Sequence, residues 1–312
     1  MPLDVSVVVE TKTLGRFQPE QRPGILARML DCIYAGQQPK EVLVMASGGE
    51  SADAFERVVA ESPARFVSIE GATIYHLKNA GTAEASGDVV AMTDADCRVH
   101  AGWIAAITSA FTDPSVDGSA GRTRYESSTM WSRVASATDF GFLQSRPDGQ
   151  STGLIANNIA LRRAVAIEFP FDERFVKTGG CGHLYERLMA AGRRIVFNPE
   201  QVVTHIDDWR RSRWFAKRVR NGADIAKVGA LGPPSALERW TRRGTAGYPV
   251  HVAARRAVGD VLRLSREEGL VAHPWERPLF IAAAVAGRAV EGTAGVVAQR
   301  RPDWVGLGTR WG

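Results

Sequence analysis

The stretch Val89-Val90-Ala91-Met92-Thr93-Asp94-Ala95-Asp96-Cys97 indicates the fold class, because it joins a buried strand pattern to two carboxylates. A short β-branched and apolar run that ends at a turn signal predicts a strand over 89–93. In an open α/β sheet the ligand crevice lies at the carboxyl ends of the strands, where this pattern puts Asp94 and Asp96. Clustered carboxylates repel each other unless a cation or hydrogen-bond donors hold them, and Mg²⁺ or Mn²⁺ suits such oxygen ligands. From these residues alone, a helix cap or a solvated turn is the alternative.

Apolar patterns along the rest of the first 200 residues predict an α/β fold with a mostly parallel sheet flanked by helices. Strands are predicted over 5–10, 41–46 and 66–69, helices over 24–35, 103–111 and 184–191, and a helical or turn segment over 81–86. Gly232-Pro233-Pro234 predicts a break in the chain near 230–235.

The composition is ordinary for a soluble globular protein, with 312 residues, 45% hydrophobic and 23% charged. The first four residues lead directly into a predicted strand, so we expect no signal peptide. Three cysteines are an odd and sparse set, which favours a reducing compartment over a disulfide framework. We therefore expect a cytoplasmic protein.

Positive charge is concentrated in the C-terminal third of the chain. Residues 206–312 carry 19 Lys/Arg and 10 Asp/Glu, a net of +9, whereas the whole chain carries +5, so residues 1–205 carry −4. Basic and aromatic residues alternate in one short segment: Trp209, Arg210, Arg211, Arg213, Trp214, Phe215, Lys217, Arg218 and Arg220. Such a segment suits a membrane interface with anionic lipid, the phosphates of a nucleotide, or nucleic acid. An ordinary helix with a solvated basic face and buried tryptophans is the alternative.

The segment 278–298 has the length of a membrane span, but Arg288 and Glu291 lie inside it. A charge at the centre of a spanning helix costs roughly 2.5–3.5 kcal/mol, which alanine and glycine offset little. We therefore interpret the segment as a packed or interfacial helix.

Further motifs surround the aspartates in a characteristic order: Val5–Thr11, Asn79-Ala80-Gly81, Ala85-Ser86-Gly87, Asp94-Ala95-Asp96, Gly102-Trp103, Ala156–Arg163, Phe171–Phe175 and Val203-Thr204-His205. In order and spacing, this set resembles the family-2 glycosyltransferases of GT-A fold. The resemblance implies a GT-A catalytic domain over residues 1–210 and a basic, mainly helical C-terminal extension over 211–312. It also implies antiparallel strands and acceptor-side loops within 118–156.

The resemblance implies metal-dependent, inverting transfer of a sugar from a nucleoside-diphosphate donor to an acceptor hydroxyl. The donor would be a UDP- or GDP-sugar, and the acceptor a cell-envelope glycan, a lipid-linked sugar or a small natural product. Asp96 and His205 are expected to bind Mn²⁺ or Mg²⁺, which would stabilise the charge on the leaving diphosphate. A histidine satisfied by a neighbour at a strand end is the alternative for His205. The resemblance places donor binding at Glu10, Thr11, Ser47, Lys78, Asn79, Asp94 and Asp96.

Two departures from the family pattern concern the donor contact and the general base. Ala46-Ser47-Gly48-Gly49 stands where the family has Asp-Asp-Gly-Ser, so a nucleobase or sugar contact is missing or comes from elsewhere. Gly180-Cys181 stands where a Glu-Asp pair supplies the base.

The nearest ionisable replacements for that base are His183 and Glu186, which share a helix face because they lie three residues apart. A histidine oriented by a glutamate is a suitable base near neutral pH. Alternatively, His183 caps the helix and Glu186 lies on its surface, in which case Asp207 or Asp208 could serve.

Two other functions stay open. One is a non-catalytic sugar-nucleotide-binding protein, or a partner subunit, with a decayed catalytic base. The other, a nucleotidyltransferase, would need a glycine-rich basic loop after the first strand, and residues 10–16 contain one glycine. The basic segment matches no nucleic-acid-binding motif, so we expect no nucleic acid as partner. A cytoplasmic location, peripheral at the inner face of the membrane, fits the basic C-terminal third.

Overall fold

The computed structural model describes residues 3–49, 51–126, 129–175, 179–206, 214–223, 259, 262 and 274–301. The chain divides into two compact units, Met1–Thr123 with Leu143–Ile206, and Arg124–Phe142 with Asp207–Gly312. The predicted division into 1–210 and 211–312 differs from this one chiefly over residues 124–142. The predicted break near 230–235 lies outside the described residues.

The first unit contains an eight-stranded sheet with helices packed against it. The strands are β1 Val5–Glu10, β2 Glu41–Ser47, β3 Arg65–Ile69, β4 Val89–Asp94, β5 Cys97–Val99, β6 Gly118–Tyr125, β7 Ile159–Arg162 and β8 Ile195–His205. The helices of this unit are α1 Arg22–Tyr34, α2 Ala52–Ala60, α3 Ile74–Glu84, α4 Trp103–Ala110, α6 Arg163–Glu168 and α7 Gly180–Ala190. The last two residues of β6 belong to the second unit.

The strand order is β3-β2-β1-β4-β7-β6-β8-β5. The first four strands are parallel, whereas β7 runs antiparallel to both β4 and β6, and β5 runs antiparallel to β8. The parallel half corresponds to the predicted sheet, and the antiparallel half extends it. This arrangement brings the carboxyl ends of β1, β2 and β4 to one edge.

The core of the first unit follows from the apolar strands and the helices that cover them. All six residues of β1 are buried, as are the first five of β4. The helix α3 starts at Ile74, seven residues before the segment predicted from sequence, and it carries the Asn79-Ala80-Gly81 motif. A Cβ at Gly81 would come within 2.5 Å of a Val8 methyl group, so glycine allows this helix to lie close to β1.

The second unit contains α5 Met130–Phe140, a helix over 214–223 (α8) and the long helix α9 Arg277–Arg300. Helix α9 packs against α5. Buried charges join the three helices. Arg218 of α8, which is fully buried, pairs with Asp139 of α5 and with Glu291 of α9, the latter at 3.2 Å. Arg288 also pairs with Glu291 at 3.2 Å.

These ion pairs account for the two charges inside the apolar segment 278–298. The helix over Pro274–Ala298 is long and apolar enough to span a membrane by length and composition, with a mean hydropathy of 1.4. Its two charges face partners inside the second unit instead of standing alone.

Candidate active site

Three carboxylates meet at the carboxyl ends of β1 and β4. Glu10 and Asp94 are register partners across the two parallel strands, and Asp96 follows two residues later. Glu10 and Asp96 are fully buried. Burial, reinforced by the charge on Asp94, raises the pKa of Glu10 to about 8. Its Oε1 atom has no hydrogen-bond partner among the described residues, and with this pKa the carboxyl is mostly protonated at neutral pH.

Lys78 supplies a positive charge to this cluster from inside the protein. The side chain is fully buried, and its ammonium group donates to Asp94 Oδ1 at 2.7 Å and to two carbonyl oxygens at 3.1 Å. Burial alone would lower the pKa of Lys78, but the charges on Asp94 and Glu10 outweigh it and raise that pKa. Its three ammonium protons are therefore engaged within the protein, where they position Asp94.

Asp96 contacts two cationic or potentially cationic side chains. The Arg16 guanidinium lies 2.7 Å from Asp96 Oδ2, although its hydrogen-bond alignment is poor, and His205 Nε2 lies 3.7 Å from Oδ1. Burial raises the pKa of Asp96, and the Arg16 charge opposes this shift. His205 reaches the site because β8 pairs with β5 in a register that puts His205 opposite Cys97.

The ligand atoms of Asp94, Asp96, Cys97 and His205 all lie within 4.8 Å of one another. Two carboxylates and an imidazole suit Mn²⁺, whose ligands are oxygen and nitrogen atoms. Burial raises the pKa of Cys97 well above its ordinary value, so the thiol stays protonated and is a poor ligand for a hard cation. The two aspartates and His205, brought together as predicted, therefore fit a hard divalent metal ion.

The predicted nucleotide-binding positions lie side by side at the ends of β1 and β2. Thr11 is buried and donates through both its amide and its hydroxyl to Met45 O. Ser47 ends β2, and the exposed Lys12 ammonium lies 3.4 Å from its hydroxyl oxygen. These residues and Glu10 thus form one continuous edge of the sheet.

A carboxylate that follows β3 lies beside the residues that replace the family's Asp-Asp-Gly-Ser at the end of β2. Glu70 directly follows β3, and a Cβ at Gly48 would overlap the Glu70 carboxylate. Gly48 therefore leaves room for this acidic group, which comes from a neighbouring strand instead of from β2. Sequence spacing could not identify Glu70, because it enters the edge through the pairing of β2 with β3.

Asn79 links α3 to the segment over 171–173 through hydrogen bonds. Its side-chain amide donates to Phe171 O and to Glu173 Oε1, and its oxygen accepts from the Phe171 amide, each at 2.9 Å. These bonds hold the segment over 171–173 against α3, and this segment contains Asp172.

His183 is paired with Asp172, which lies in the Phe171–Phe175 motif. His183 Nε2 lies 3.6 Å from Asp172 Oδ2, and both side chains are largely buried. The hydrogen bond from Arg174 holds the pKa of Asp172 at about 2. Burial lowers the pKa of His183, although the Asp172 charge opposes the shift. Glu186 lies three residues further along α7 and is half-buried. The helix α7 begins at Gly180 with Gly179 as its N-cap, so His183 lies inside it.

Tyr75 lies against Gly180, at the position where the family pattern has its Glu-Asp pair. A Cβ at Gly180 would come within 2.6 Å of the Tyr75 ring, so Tyr75 fills the space that a side chain at Gly180 would need. Cys181 lies beside it, with its sulfur 3.7 Å from the Tyr75 hydroxyl. Burial raises the pKa of Tyr75 well above its ordinary value and also raises that of Cys181, so neither group is a base at neutral pH. Asp207 and Asp208 lie outside the described residues.

Comparisons with known proteins agree with this architecture. The family model of glycosyl transferase family 2 matches residues 22–169. No curated protein matches the sequence significantly. Among solved structures, the mannosyltransferase PcManGT from Pyrobaculum calidifontis, in complex with GDP-Man and Mn²⁺, is 17% identical with a TM-score of 0.57, covering 94% of this chain and 88% of that one.

Two further structures are similar at a TM-score of 0.52. TarS 1-349 from S. aureus, in complex with UDP-GlcNAc, is 12% identical and covers 96% of this chain and 92% of that one. GalNAc-T7 with UDP, GalNAc and Mn²⁺ is 14% identical and covers 67% of this chain and 44% of that one. At these identities the similarity concerns the fold. Residues 22–169 form a family-2 glycosyltransferase domain, and the predicted class of protein, a glycosyltransferase of GT-A fold, is confirmed.

Proposed function

We propose that this chain transfers a sugar from a nucleoside-diphosphate donor to an acceptor hydroxyl with inversion, using a divalent metal ion. The observation that carries the proposal is the convergence of Asp94, Asp96 and His205 at the carboxyl edge of a family-2 domain. The donors in the similar structures, GDP-Man and UDP-GlcNAc, indicate a GDP- or UDP-sugar.

Asp96 and His205 would hold the metal ion, and Asp94 lies next to them. When bound, Mn²⁺ or Mg²⁺ supplies positive charge for the phosphate oxygens of the leaving group. Lys78 keeps the Asp94 carboxylate in place, so that its remaining oxygen is directed by the protein and not by solvent. Glu10, Thr11 and Ser47 form the edge on which the nucleoside would lie, and Glu70 would supply the acidic contact that β2 lacks.

The general base would be His183, positioned by Asp172. Its lowered pKa leaves the imidazole neutral at pH 7, as a base requires, and Asp172 orients the ring. Glu186 is the second candidate on the same helix.

Replacing His183 with Gln is expected to lower kcat/KM by roughly 10²- to 10⁴-fold, the usual contribution of a general base. Asp172→Asn should lower kcat/KM less than His183→Gln does. It should also move the acid limb of the pH profile to lower pH, because the Asp172 charge raises the pKa of His183 and its loss lowers that pKa. His76→Gln is the matched control, because His76 forms a similar 3.6 Å pair with Glu173 but is half-exposed. If His183→Gln were fully active and Glu186→Gln inactive, the base would be Glu186.

The acceptor surface is proposed to lie at an anionic membrane. Five of the six large hydrophobic residues exposed among the described residues belong to the second unit: Phe215, Val219, Leu262, Trp275 and Leu279. Phe215 and Val219 lie four residues apart on α8 and so share a helix face. Trp275 lies in the 3-10 turn Pro274–Glu276, four residues before Leu279 of α9. The C-terminal third also carries the positive charge, which suits a lipid-linked or envelope acceptor at the cytoplasmic face.

Vesicles of anionic phospholipid are expected to bind the protein, and zwitterionic vesicles to bind it weakly. The double variant Trp275→Ser, Leu279→Ser should lose most of this binding in a flotation assay, because it removes apolar area that would enter the interface. Ile167→Ser is the control, since Ile167 is as exposed as Leu279 (49%) but belongs to the first unit. Binding to DNA in place of lipid, with a steep salt dependence, would contradict the membrane proposal.

The proposed activity is tested by offering UDP- and GDP-sugars with and without Mn²⁺ and measuring binding and donor hydrolysis. We expect one donor to bind and to be hydrolysed slowly, in a reaction that EDTA stops. Binding without hydrolysis or transfer, in a broad acceptor screen, would favour the non-catalytic binding protein, for which Gly180-Cys181 is the specific observation. Failure to bind any donor would overturn the proposal.

A further inference from the structure

The Arg16 guanidinium occupies one side of the proposed metal-ligand cluster. Its Nη2 atom lies 2.7 Å from Asp96 Oδ2 and 3.1 Å from His205 Nδ1, and it also donates to Ile206 O. The Arg16 side chain is 27% exposed, whereas that of Asp96 is fully buried. The Arg16 guanidinium thus covers the Asp96 carboxylate, to which a divalent cation would bind.

The backbone that carries Arg16 is well anchored, so the guanidinium can move without the segment moving. Arg16 ends the 3-10 helix Lys12–Arg16, in which Leu14 is fully buried. The guanidinium of Arg22 donates to Phe17 O immediately beyond it. The long, partly exposed side chain of Arg16 is the part of this segment that can exchange between the site and solvent.

We propose that Arg16 is an exchangeable counter-ion: it neutralises Asp96 in the metal-free protein, and a divalent cation must displace it. The inference rests on the proposed metal site. A fully buried carboxylate needs a cationic or hydrogen-bonding partner, which Arg16 provides. Arg16 and a metal ion compete, because both bind the Asp96 carboxylate and because their charges repel.

The effect of Arg16 on metal affinity can be compared with the effect of an arginine on proton binding by a nearby aspartate. An adjacent arginine lowers the pKa of an aspartate by roughly 1–3 units, which is a 10- to 1,000-fold loss of affinity for a cation at that carboxylate. A metal ion that binds the same carboxylate must likewise displace the Arg16 charge. Arg16 therefore stabilises the metal-free protein and weakens its binding of a metal ion.

The test is Mn²⁺ affinity without donor, measured by electron paramagnetic resonance of free Mn²⁺. We expect Arg16→Gln to tighten Mn²⁺ binding by at least about tenfold. Arg16→Lys keeps the charge and should stay near the wild-type affinity. Arg28→Gln, a change at an exposed arginine of α1, should leave affinity unchanged, and Asp96→Asn should abolish this binding.

The outcomes separate this inference from the proposed function. Mn²⁺ binding that survives in Asp96→Asn would overturn the metal site itself. Asp96-dependent binding that is unchanged or weaker in Arg16→Gln would overturn the counter-ion role alone. If Arg16→Gln does not fold, a measurement on the wild-type protein still tests the proposal. Modification of Arg16 by phenylglyoxal, followed by mass spectrometry, should become faster when Mn²⁺ is added, and an unchanged or slower rate would contradict displacement.

Discussion

Replacing Asp96 with Asn is expected to lower kcat/KM for sugar transfer by roughly 10²- to 10⁴-fold, because metal stabilisation of the leaving group is worth several kcal/mol. Asn keeps the size of the side chain but removes the charge that holds a cation. Asp96 is fully buried and contacts both Arg16 and His205, so no neighbouring solvent can replace its oxygen. The measurement is initial-rate kinetics across a range of Mn²⁺ concentrations.

The control for this variant is Asp53→Asn, which changes an exposed aspartate in the first turn of α2. It should retain wild-type kinetics and the wild-type response to Mn²⁺. An Asp96→Asn protein that still responds to Mn²⁺ with nearly wild-type rates would contradict the assignment of Asp96 to the metal.

Replacing Lys78 with Met is expected to lower the free energy of unfolding by about 3–5 kcal/mol, the usual cost of removing one partner of a buried ion pair. The variant leaves Glu10 and Asp94 side by side without their buried cation. Without the Lys78 charge, the folded-state pKa of Glu10, which burial already raises to about 8, rises further. Above about pH 8, the folded variant keeps a proton on Glu10 that the folded wild type and the unfolded chain release, so the stability deficit should grow as pH rises from about 8 to about 10.

Chemical denaturation of Lys78→Met at several pH values measures this effect. Lys40→Met is a matched control, because Lys40 pairs with Asp4 at 2.9 Å but both side chains are exposed. Such a surface pair contributes about 0–1 kcal/mol. A Lys78 variant as mild as the Lys40 variant, or one without pH dependence, would contradict the role of Lys78 as the internal cation of the cluster.

Much of the fold could be predicted from local patterns. The apolar runs before Glu10 and Asp94 identify two adjacent parallel strands, because a continuous apolar run suits a strand that is buried on both faces. The order of the surrounding motifs then predicted the family whose model matches residues 22–169. The start of α3 was missed, because the sequence before Asn79 carries no strong N-terminal signal apart from Thr73, whose side chain caps the helix.

The site was only partly predictable, because several of its residues act across the fold. Asp94 and Asp96 were identified because local sequence places them after a strand. Arg16, Asp172 and Glu70 were missed because their roles depend on pairs that are distant in sequence. Arg16 meets His205 across 189 positions, which spacing rules do not describe. The clearest available signal was for Asp172, since it lies within the Phe171–Phe175 motif.

The general base illustrates the same limit. The sequence showed that Gly180-Cys181 lacks the expected carboxylates and pointed to His183 with Glu186 as its partner. In the structure His183 faces Asp172, and Tyr75 fills the space at Gly180. Both contacts join α7 to other parts of the first unit, so helix periodicity alone could not predict them.

The most direct test of the account is anomalous diffraction at the manganese edge from crystals grown with Mn²⁺ and a nucleoside diphosphate. We predict one peak within bonding distance of the Asp96 carboxylate and His205, with the diphosphate on its other side and Arg16 displaced. A peak bound elsewhere, or a diphosphate bound away from the carboxyl ends of β1 and β4, would contradict the proposed site.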